Sequence, residues 1–448
     1  MSFFTYSPCE TGRKGRDAHI LFHANESEWV KVNDTGLEIA QYLDEGASLD
    51  EVTRRLCAEY GISEDAARQD VLSVSDQLFR QHFLDGNARE RPARFPVLKS
   101  LFLHLTTRCN LSCLHCYMAG SQANSNRDIP SERVFRIIDS LADHGGTSVT
   151  LSGGEVLLHP EIKKILQHAA SKVKIELSTN GTLIDREWAK FLSDMDIRIQ
   201  ISIDGSTREI HDSIRGNGAF EKSLRAIEYL QVAGLGEKLI LATTKMWQNI
   251  DDLPAIISLG KRLGVRLVRF MPLRREGSAG KHWDSVGSGV SIADYERFYE
   301  YTFRLQRSGQ PGIDVNCGLS GFLPKMPEKY KTDDIWCPIG TLVVITVNGD
   351  AYPCVLMMKD EFRLGNVFDD SLDKIIQSDA MISVCQALAE RRNKIKKCSV
   401  CNWRNLCQAG CMGQALDNKG TIWDTDDFCD YRSKAYEEAF DRILNIDD

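Results

Sequence analysis

The sequence predicts an α/β chain of three parts, in which a central segment of βα units lies between a small N-terminal unit and a cysteine-rich C-terminal segment. The length of 448 residues suits about three domains. Strand-like and helix-like patterns alternate through the centre as six βα units, which predicts a parallel sheet, either curved into a partial barrel or left open and doubly wound. Most of the 14 cysteines fall into two clusters, one early in this central segment and one towards the C-terminus.

Residues 1–90 are predicted to form the first unit. Two strand-like runs, 19–23 and 28–32, are joined by residues typical of turns. Three amphipathic helical patterns follow. Three polar residues are expected to cap these helices: Asp34, Ser48 and Ser63. The stretch 87–96, which is rich in arginine and contains two prolines, is expected to link this unit to the rest of the chain.

The central segment supplies the strands of the predicted sheet and the helices between them. The strands are expected at residues 100–105, 148–151, 174–177, 198–203, 238–243 and 267–270. Helical patterns between them include 131–143, 160–171, 186–193, 219–233 and 252–263. In either arrangement of the sheet, the chemistry is expected at the carboxyl ends of the strands. A final helix is expected at 431–444.

Charge and hydropathy exclude several classes of function. The net charge is −8, and a nucleic-acid partner is disfavoured because binding to phosphates needs a basic surface. No apolar run reaches the roughly 18–20 residues of a membrane helix, and the N-terminus lacks the pattern of a secretory signal. We therefore expect a cytoplasmic protein without a membrane partner. In that reducing compartment, clustered cysteines are more often metal ligands than disulfides.

Three cysteines follow the first strand of the centre. Cys109, Cys113 and Cys116 have the spacing Cys-x3-Cys-x2-Cys. Three thiolates on one short loop can bind three irons of a cubane iron–sulfur cluster and leave the fourth iron open. Zinc is the alternative, but structural zinc usually has four ligands. His115 is the local candidate for a fourth ligand, and its place between two cysteines makes the geometry poor.

This segment resembles the signature of radical S-adenosylmethionine (SAM) enzymes. The resemblance implies a 4Fe–4S cluster on the three cysteines, with SAM bound at the open iron. It also implies that reductive cleavage of SAM gives a 5′-deoxyadenosyl radical, which abstracts a hydrogen from the substrate. The fold implied for the centre is a partial (β/α)6 TIM-type barrel.

The resemblance also implies contacts to SAM at the ends of the next strands. Two glycines follow the second strand, where they let the backbone approach a ligand closely. Polar residues follow the third and fourth strands, and an arginine suited to a carboxylate comes further on. The implied cofactor-binding residues are Gly153, Gly154, Glu155, Ser178, Asn180, Ser202, Asp204 and Arg215.

The C-terminal cysteines have the spacing of a second motif. The pattern of Cys337, Cys354, Cys398, Cys401, Cys407, Cys411 and Cys429 resembles the SPASM extension of radical SAM enzymes. It implies two auxiliary 4Fe–4S clusters, so that the chain would hold three clusters in total. One auxiliary cluster would be bound by Cys398, Cys401, Cys407 and Cys429. The other would be bound by Cys337, Cys354 and Cys411, with Cys317 as the candidate for a fourth ligand. A pair of zinc ribbons, the alternative, would need two Cys-x2-Cys pairs, and one is present.

Residues 1–90 resemble, less specifically, the PqqD-like winged-helix unit that recognises leader peptides, and a generic helical cap on the barrel is the alternative. The expected domains are a PqqD-like peptide-recognition domain at 1–90, a radical SAM barrel at 97–310 and a SPASM auxiliary-cluster domain at 311–448. The expected fold is thus a partial barrel with an N-terminal winged-helix-like domain and a C-terminal cysteine-rich iron–sulfur domain.

This layout implies a peptide maturase. Such an oxidoreductase binds a ribosomally made precursor peptide through its leader and installs a carbon–carbon, thioether or related crosslink. An external electron donor of the flavodoxin or ferredoxin type is implied too. The alternatives are a formylglycine-generating sulfatase maturase, a tetrapyrrole-modifying enzyme of the same superfamily and an iron–sulfur electron carrier without enzymatic activity. The sequence assigns no general base, although Asp350, close to Cys354, is a candidate.

Overall fold

The computed structural model describes residues 4–6, 18–23, 29–80, 83–84, 96–118, 127–287, 289–307, 313–317 and 337–445. Apart from Pro96, the predicted linker lies outside the described residues, as does Cys9. Within the described ranges, we find no helix whose length and apolar character would let it cross a membrane.

The N-terminal unit is an antiparallel sheet followed by three helices. Its strands are β1 (Phe4–Tyr6), β2 (His19–His23) and β3 (Trp29–Val32), in the order β1-β2-β3. Its helices are α1 (Asp34–Asp44), α2 (Leu49–Tyr60) and α3 (Glu64–Arg80). The sequence predicted the second and third strands and all three helices but not β1.

Helix capping in this unit follows the sequence with one correction. Ser48 and Ser63 accept hydrogen bonds from backbone N–H groups three residues on, as predicted. The prediction of Asp34 as a cap is wrong, because Asn33 is the capping residue and its side chain accepts from the N–H of Gly36 at 2.8 Å. Asn33 keeps an extended backbone, whereas Asp34 is already helical and adds negative charge to the first turn.

The central segment contains the predicted alternation of strands and helices. The strands are β4 (Ser100–His104), β5 (Ser148–Ser152), β6 (Lys174–Thr179), β7 (Ile197–Ser202), β8 (Leu239–Thr244) and β9 (Leu267–Met271). The helices are α4 (Ser131–Asp143), α5 (Ile162–Ala170), α6 (Arg186–Ser193), α7 (Arg208–Arg215), α8 (Ala219–Val232), α9 (Leu253–Arg262), α10 (Gly277–Lys281), α11 (Trp283–Val286) and α12 (Ile292–Arg307). The six strands are parallel and lie in chain order, as expected for successive βα units.

The sheet extends beyond the six predicted strands at both edges. On one side β10 (Asp314–Asn316) pairs in parallel with β9, and on the other β11 (Leu342–Ile345) pairs in parallel with β4. Two antiparallel strands, β12 (Asp350–Tyr352) and β13 (Gly365–Asn366), continue the sheet from β11. The C-terminal segment therefore shares a sheet with the barrel instead of forming a detached unit.

An ion pair across the inner face shows that the sheet is curved. Arg269 on β9 donates to Glu176 on β6 at 2.6 Å and to Gln200 on β7 at 2.6 Å. In a flat sheet, three strand spacings of about 4.8 Å would separate β6 from β9 by roughly 14 Å, too far for this contact. The sheet is therefore a partial barrel, which decides against the open, doubly wound alternative.

The helices of the C-terminal segment surround the second group of cysteines. They are α13 (Leu372–Ile376), α14 (Asp379–Lys394), α15 (Lys396–Ser399), α16 (Arg404–Cys407), α17 (Met412–Lys419) and α18 (Cys429–Asn445). The last of these contains the predicted final helix. The sequence indicated only turns over much of this region, because α13, α15, α16 and α17 are short.

The N-terminal sheet packs on the C-terminal segment through an aromatic cluster. Phe22 of β2 lies 5.5 Å from Trp403 and 5.0 Å from Phe440, measured between ring centroids, with both pairs edge-to-face. Trp403 in turn stacks on Phe440 and on Tyr436. Ile20 belongs to the same buried cluster. Aromatic pairs of this kind add about 0.5–1.5 kcal/mol beyond the apolar area they bury.

Replacing Phe22 by alanine is expected to weaken this contact. Loss of a buried phenylalanine typically costs about 3–5 kcal/mol, so denaturant should release the N-terminal unit earlier than in the unmodified protein. Trp29 and Trp403 lie in the cluster, so tryptophan fluorescence reports the change directly. Leu72→Ala, on the same unit but half exposed, is the control. Unfolding curves that coincide for F22A and the unmodified protein would contradict the contact.

Candidate functional site

The three-cysteine loop begins directly after β4, at the carboxyl edge of the barrel. Cys109 is exposed, and Cys113 and Cys116 are half-buried. The N–H of Leu111 points at the Cys109 sulfur at 3.5 Å. Burial, opposed by the charge of Arg215, raises the pKa of the Cys113 thiol to about 11. A thiol whose pKa is raised in this way is protonated at neutral pH, so it releases a proton when it binds a metal.

The glycines after β5 let two loops meet at this edge. The N–H of Gly154 donates to the carbonyl of Thr106, and the N–H of Glu155 donates to the carbonyl of Arg108. A β-carbon at Gly154 would lie 2.3 Å from the Arg108 carbonyl oxygen, and one at Gly153 would lie 2.6 Å from that of Thr106. Larger residues at these positions would push the start of the cysteine loop away.

Glu155 lies fully buried beneath the loops, and its carboxylate is engaged by the protein itself. One oxygen accepts from the hydroxyl of Thr179 at 2.6 Å and the N–H of Leu157 at 3.1 Å. The other accepts from the N–H of Asn180 at 2.8 Å. Burial raises the pKa of Glu155, although the three hydrogen bonds oppose this shift. The carboxylate thus ties the end of β6 to the turn that follows β5.

Asn180 connects the end of β6 to the cysteine loop. Its amide donates to the side-chain oxygen of Asn110 at 2.9 Å, and its own oxygen accepts from the backbone and hydroxyl of Thr182. Ser178 lies on the inner face of the barrel, where Gln200 donates to its hydroxyl at 3.1 Å. Ser202 is half-buried at the end of β7.

A buried ion pair connects the end of β7 to the same loop. Arg215 donates through Nε to Asp204 at 2.6 Å, and its Nη1 lies 3.9 Å from the Cys113 sulfur. His115 lies 3.4 Å from Asp204. Burial disfavours the Asp204 carboxylate, but the charges of Arg215 and His115 outweigh this effect, so its pKa is lowered. The N–H of Leu114 donates to the carbonyl of Ile214, which docks α7 on the loop.

The cysteine loop fits the cluster and the cofactor that its sequence implies. Three thiols on one loop provide one ligand for each of three irons. In addition, Nδ1 of His115 and Nε2 of His211 are buried without a hydrogen-bond partner among the described residues. Such atoms beside a loop of thiols leave polar groups for a bound molecule to satisfy. No three His, Cys, Asp or Glu side chains of the described ranges lie close enough together to hold a single metal ion.

The loop after β9 lies against the cysteine loop, and sequence reasoning missed its role. The guanidinium of Arg274 lies 4.6 Å from the ring centroid of Tyr117, the residue after Cys116. Arg274 also pairs with Glu276 and contacts the sulfur of Met358 in the C-terminal segment. The hydroxyl of Tyr117 is 2.9 Å from Nε2 of His104. The sequence signal for these residues is their position, because Arg274 comes shortly after β9 and Tyr117 comes directly after Cys116.

Four of the C-terminal thiols lie near one another. Burial, together with the charges of the other three thiols, raises the pKa of the Cys398 thiol to about 12. The group comprises Cys398, Cys401, Cys407 and Cys429. The N–H of Trp403 donates to the Cys401 sulfur at 3.4 Å, and Nε of Arg432 donates to the Cys407 sulfur at 3.4 Å.

Of the remaining C-terminal thiols, Cys354 and Cys411 lie near each other. Burial and the neighbouring charge of Cys354 raise the pKa of the Cys411 thiol to about 12. The buried guanidinium of Arg391 donates to the carbonyls of Ile422, Gly410 and Asp424, and Gly410 directly precedes Cys411.

Cys317 and Asp350 have surroundings of their own. Cys317 is buried after β10, and its carbonyl accepts from Nζ of Lys245 at 3.0 Å. The carboxylate of Asp350 on β12 accepts from Arg363 at 3.0 Å and from Asn366 at 3.0 Å. Asp350 is therefore engaged by side chains from β13 and from the segment just before it.

Comparison with known families places three domains along the chain. The radical SAM superfamily matches residues 103–260, and the coenzyme PQQ synthesis protein D (PqqD) family matches residues 18–84. The SPASM family, an iron–sulfur cluster-binding domain, matches residues 337–402. The chain is a radical SAM enzyme. Within that class, it is a protein that carries a PqqD domain before the barrel and a SPASM domain after it.

Several characterised proteins are similar to the chain over most of its length. The antilisterial bacteriocin subtilosin biosynthesis protein AlbA of Bacillus subtilis is 26% identical over 88% of this chain and 87% of its own. The mycofactocin maturase MftC of Mycolicibacterium smegmatis is 29% identical over 69% and 76%. The AdoMet-dependent heme synthase of Methanosarcina barkeri is 26% identical over 73% and 95%.

Solved structures support the fold. The protein anSMEcpe with bound AdoMet has a TM-score of 0.62 and 22% identity, covering 77% of this chain and 98% of its own. SuiB of Streptococcus suis bound to S-adenosylmethionine has a TM-score of 0.60 and 17% identity, covering 96% and 99%. SuiB bound to the precursor peptide SuiA has a TM-score of 0.59 and 16% identity, covering 95% and 98%.

Glu155→Gln is expected to destabilise the barrel edge. In either orientation of the glutamine amide, its NH2 group replaces a carboxylate oxygen that now accepts from Thr179 and Leu157 or from Asn180. At least one buried donor therefore loses its acceptor. Such a loss costs roughly 1–3 kcal/mol, and the midpoint of denaturant unfolding should fall accordingly. The control is Glu187→Gln on the exposed face of α6, for which no change is expected. Equal midpoints for the two variants would contradict the role of Glu155.

Proposed function

We propose that the chain is a radical SAM peptide maturase that binds a precursor peptide by its leader and installs a crosslink in the attached core. The observation that carries the proposal is the docking of the PqqD domain on the SPASM domain, within the same molecule as the cysteine loop. A leader-binding unit beside the reaction site raises the local concentration of the peptide attached to the leader. Similarity to AlbA and MftC supports the same function.

The cysteine loop is proposed to bind the catalytic cluster, through Cys109, Cys113 and Cys116. When bound, the cluster and SAM together supply a carbon-centred radical that removes hydrogen from the peptide. Eight residues at the strand ends are proposed to surround SAM: Gly153, Gly154, Glu155, Ser178, Asn180, Ser202, Asp204 and Arg215. These residues have two different roles. Glu155 and the Asp204–Arg215 pair hold the loops in place, whereas Gly153 and Gly154 let the backbone approach a ligand closely.

The SPASM domain is proposed to hold two auxiliary clusters, so the chain would carry three in all. The four neighbouring thiols, Cys398, Cys401, Cys407 and Cys429, would bind one cluster. Cys337, Cys354 and Cys411 would bind the other, with Cys317 as its candidate fourth ligand because Cys317 is buried where β10 joins the barrel to this segment. We place the domain boundaries at 1–90, 97–310 and 311–448.

The leader is proposed to bind along β3. This strand lies at the edge of the described N-terminal sheet, and an added strand there can form main-chain hydrogen bonds. Gln77 of α3 donates from its side chain to the carbonyl of Lys31 at 3.2 Å, so α3 flanks this strand.

The core peptide is proposed to enter the barrel, whose inner face is polar and partly accessible. Glu176, Arg269 and Gln200 form the hydrogen-bonded group on this face, and the ion pair keeps 19% and 27% of its side chains exposed. An external donor of the flavodoxin or ferredoxin type would supply electrons, in the reducing cytoplasm where free thiols persist. Asp350 remains the proposed general base, and its place near Cys354 in the sequence is the one argument for this role. Its carboxylate is already engaged by Arg363.

Tetrapyrrole modification is the second candidate, because a heme synthase is among the similar proteins. Anaerobic incubation of the reduced enzyme and SAM with synthetic peptides from short neighbouring reading frames, followed by mass spectrometry, separates the two. Loss of hydrogen from a peptide, with formation of 5′-deoxyadenosine, supports the maturase. Turnover of iron-coproporphyrin without any change in the peptides supports the second candidate.

Removing the three loop thiols tests the catalytic centre. The triple substitution of Cys109, Cys113 and Cys116 by alanine should lower the iron content by about four atoms per chain, because one cubane is lost. Formation of 5′-deoxyadenosine should fall to background, while the spectra of the auxiliary clusters persist. Substitution of Cys57, which belongs to no motif, is the control. SAM cleavage by the triple variant at the original rate would contradict the assignment.

Deleting residues 1–90 tests the leader site. The truncated chain should keep its clusters and its cleavage of SAM, because these belong to the barrel and the SPASM domain. Binding of a fluorescently labelled precursor peptide, measured by anisotropy, should fall sharply, because the tether that concentrates the core peptide at the barrel is lost. A truncated chain that stays folded and still binds the precursor as well as the intact chain would place the leader elsewhere.

A further inference from the structure

The chain between Cys407 and Cys411 has an unusual conformation. Its three residues, Gln408, Ala409 and Gly410, all have left-handed backbones, with φ of 56°, 65° and 68°. Among the described residues, Gln408 and Ala409 are the two non-glycine residues with positive φ. Such a conformation is disfavoured for L-residues and persists only where surrounding contacts enforce it.

A buried carboxylate supplies one of those contacts. Asp426 accepts from the N–H of Cys411 at 2.7 Å and from the N–H of Phe428 at 3.0 Å. It also accepts a hydrogen bond from Nη1 of Arg432 at 3.0 Å, and its other oxygen lies 2.7 Å from Nη2 of Arg432. Asp426 and Arg432 have side-chain exposures of 0% and 1%. A charged pair this deep is retained only with good geometry and further hydrogen bonds.

The arginine of this pair reaches the other cysteine. Nε of Arg432 donates to the sulfur of Cys407 at 3.4 Å. The turn itself leaves no space beside the pair, because a β-carbon on Gly410 would lie 2.2 Å from Nη2 of Arg432. A continuous path of contacts therefore runs from the backbone of Cys411 through Asp426 and Arg432 to the sulfur of Cys407.

We propose that the Asp426–Arg432 pair is a positioning device that directs Cys407 and Cys411 to two different clusters, and that Arg432 raises the reduction potential of the cluster bound by Cys407. The proposal rests on the proposed function, which assigns Cys407 and Cys411 to separate auxiliary clusters. Neither residue is a ligand. Both act through the cysteines that they hold.

The direction of the effect on potential follows from charge. Reduction adds an electron to a cluster, and a cationic N–H donor on a ligating thiolate stabilises the more negative state. The pair is neutral as a whole, but the guanidinium is the member that touches the Cys407 sulfur, whereas the carboxylate faces the backbone of Cys411. The cluster bound by Cys407 should therefore be easier to reduce than it would be without Arg432.

The test is a potentiometric titration followed by electron paramagnetic resonance, with two variants. Arg432→Lys keeps the charge but replaces Nε by a methylene, so it removes the hydrogen bond to Cys407. The double variant Asp426→Asn/Arg432→Gln removes both charges and leaves no unpaired ion in the interior. Titrations use the full chain with Cys109, Cys113 and Cys116 replaced by alanine, so that only the auxiliary clusters respond.

We expect the midpoint potential of the cluster bound by Cys407 to shift downward in both variants, and further in the double variant than in Arg432→Lys. The potential of the other auxiliary cluster should shift less. The control Lys419→Gln removes a charge that pairs with Asp427 at the surface of the same segment, and it should shift neither. Unchanged potentials in variants that keep their iron would overturn the proposal. If Arg432→Lys folds and binds full iron but shows an upward shift, the proposal is overturned as well.

The measurement also separates this proposal from the function on which it rests. Without any change to the pair, the background chain should contain about eight irons, four in each cubane. A content near four, or stoichiometric zinc, overturns the assignment of two auxiliary clusters and with it the proposal. A content near eight with potentials insensitive to Arg432 overturns the role of the pair alone.

Discussion

The buried carboxylate of Glu155 accepts hydrogen bonds from the turn after β5 and from the end of β6, beneath the loop that carries the three cysteines. It sits where three segments far apart in sequence must meet at one edge of a parallel sheet. The backbone of Gly153 and Gly154 can touch the start of the cysteine loop only because neither residue has a side chain. This close approach fixes the turn after β5 against the start of the cysteine loop.

Two buried ion pairs also hold cysteine-bearing loops in place. Asp204–Arg215 lies beneath the three-cysteine loop, and Asp426–Arg432 lies between two cysteines of the SPASM domain. In both pairs the arginine is directed at a cysteine sulfur, and the carboxylate accepts further hydrogen bonds from the backbone. Buried pairs of this kind hold a unique geometry at a large desolvation cost, which is reasonable where thiols must face a cluster.

The position of the PqqD domain gives the molecule a second organising feature. β2 packs through Phe22 on Trp403 and Phe440, and this aromatic cluster adjoins Cys401 and Cys407. The PqqD domain and one group of SPASM thiols therefore share a hydrophobic contact. At the barrel, Arg274 links the cysteine loop to the C-terminal segment, because it contacts both Tyr117 and Met358.

The sequence by itself determined the features whose chemistry is local. The motif of Cys109, Cys113 and Cys116 is local because its three thiols lie on one short loop. The βα alternation is visible because each strand or helix carries its own apolar pattern. Tertiary structure decided what depends on residues brought together from a distance. The curvature of the sheet rests on Arg269 meeting Glu176, and the short strands β10 and β11 are held by pairing with the sheet edges. Likewise, the partners of Glu155 and the Asp426–Arg432 pair could not be read from spacing, because a hydrogen bond between distant residues leaves no periodic signal in the chain.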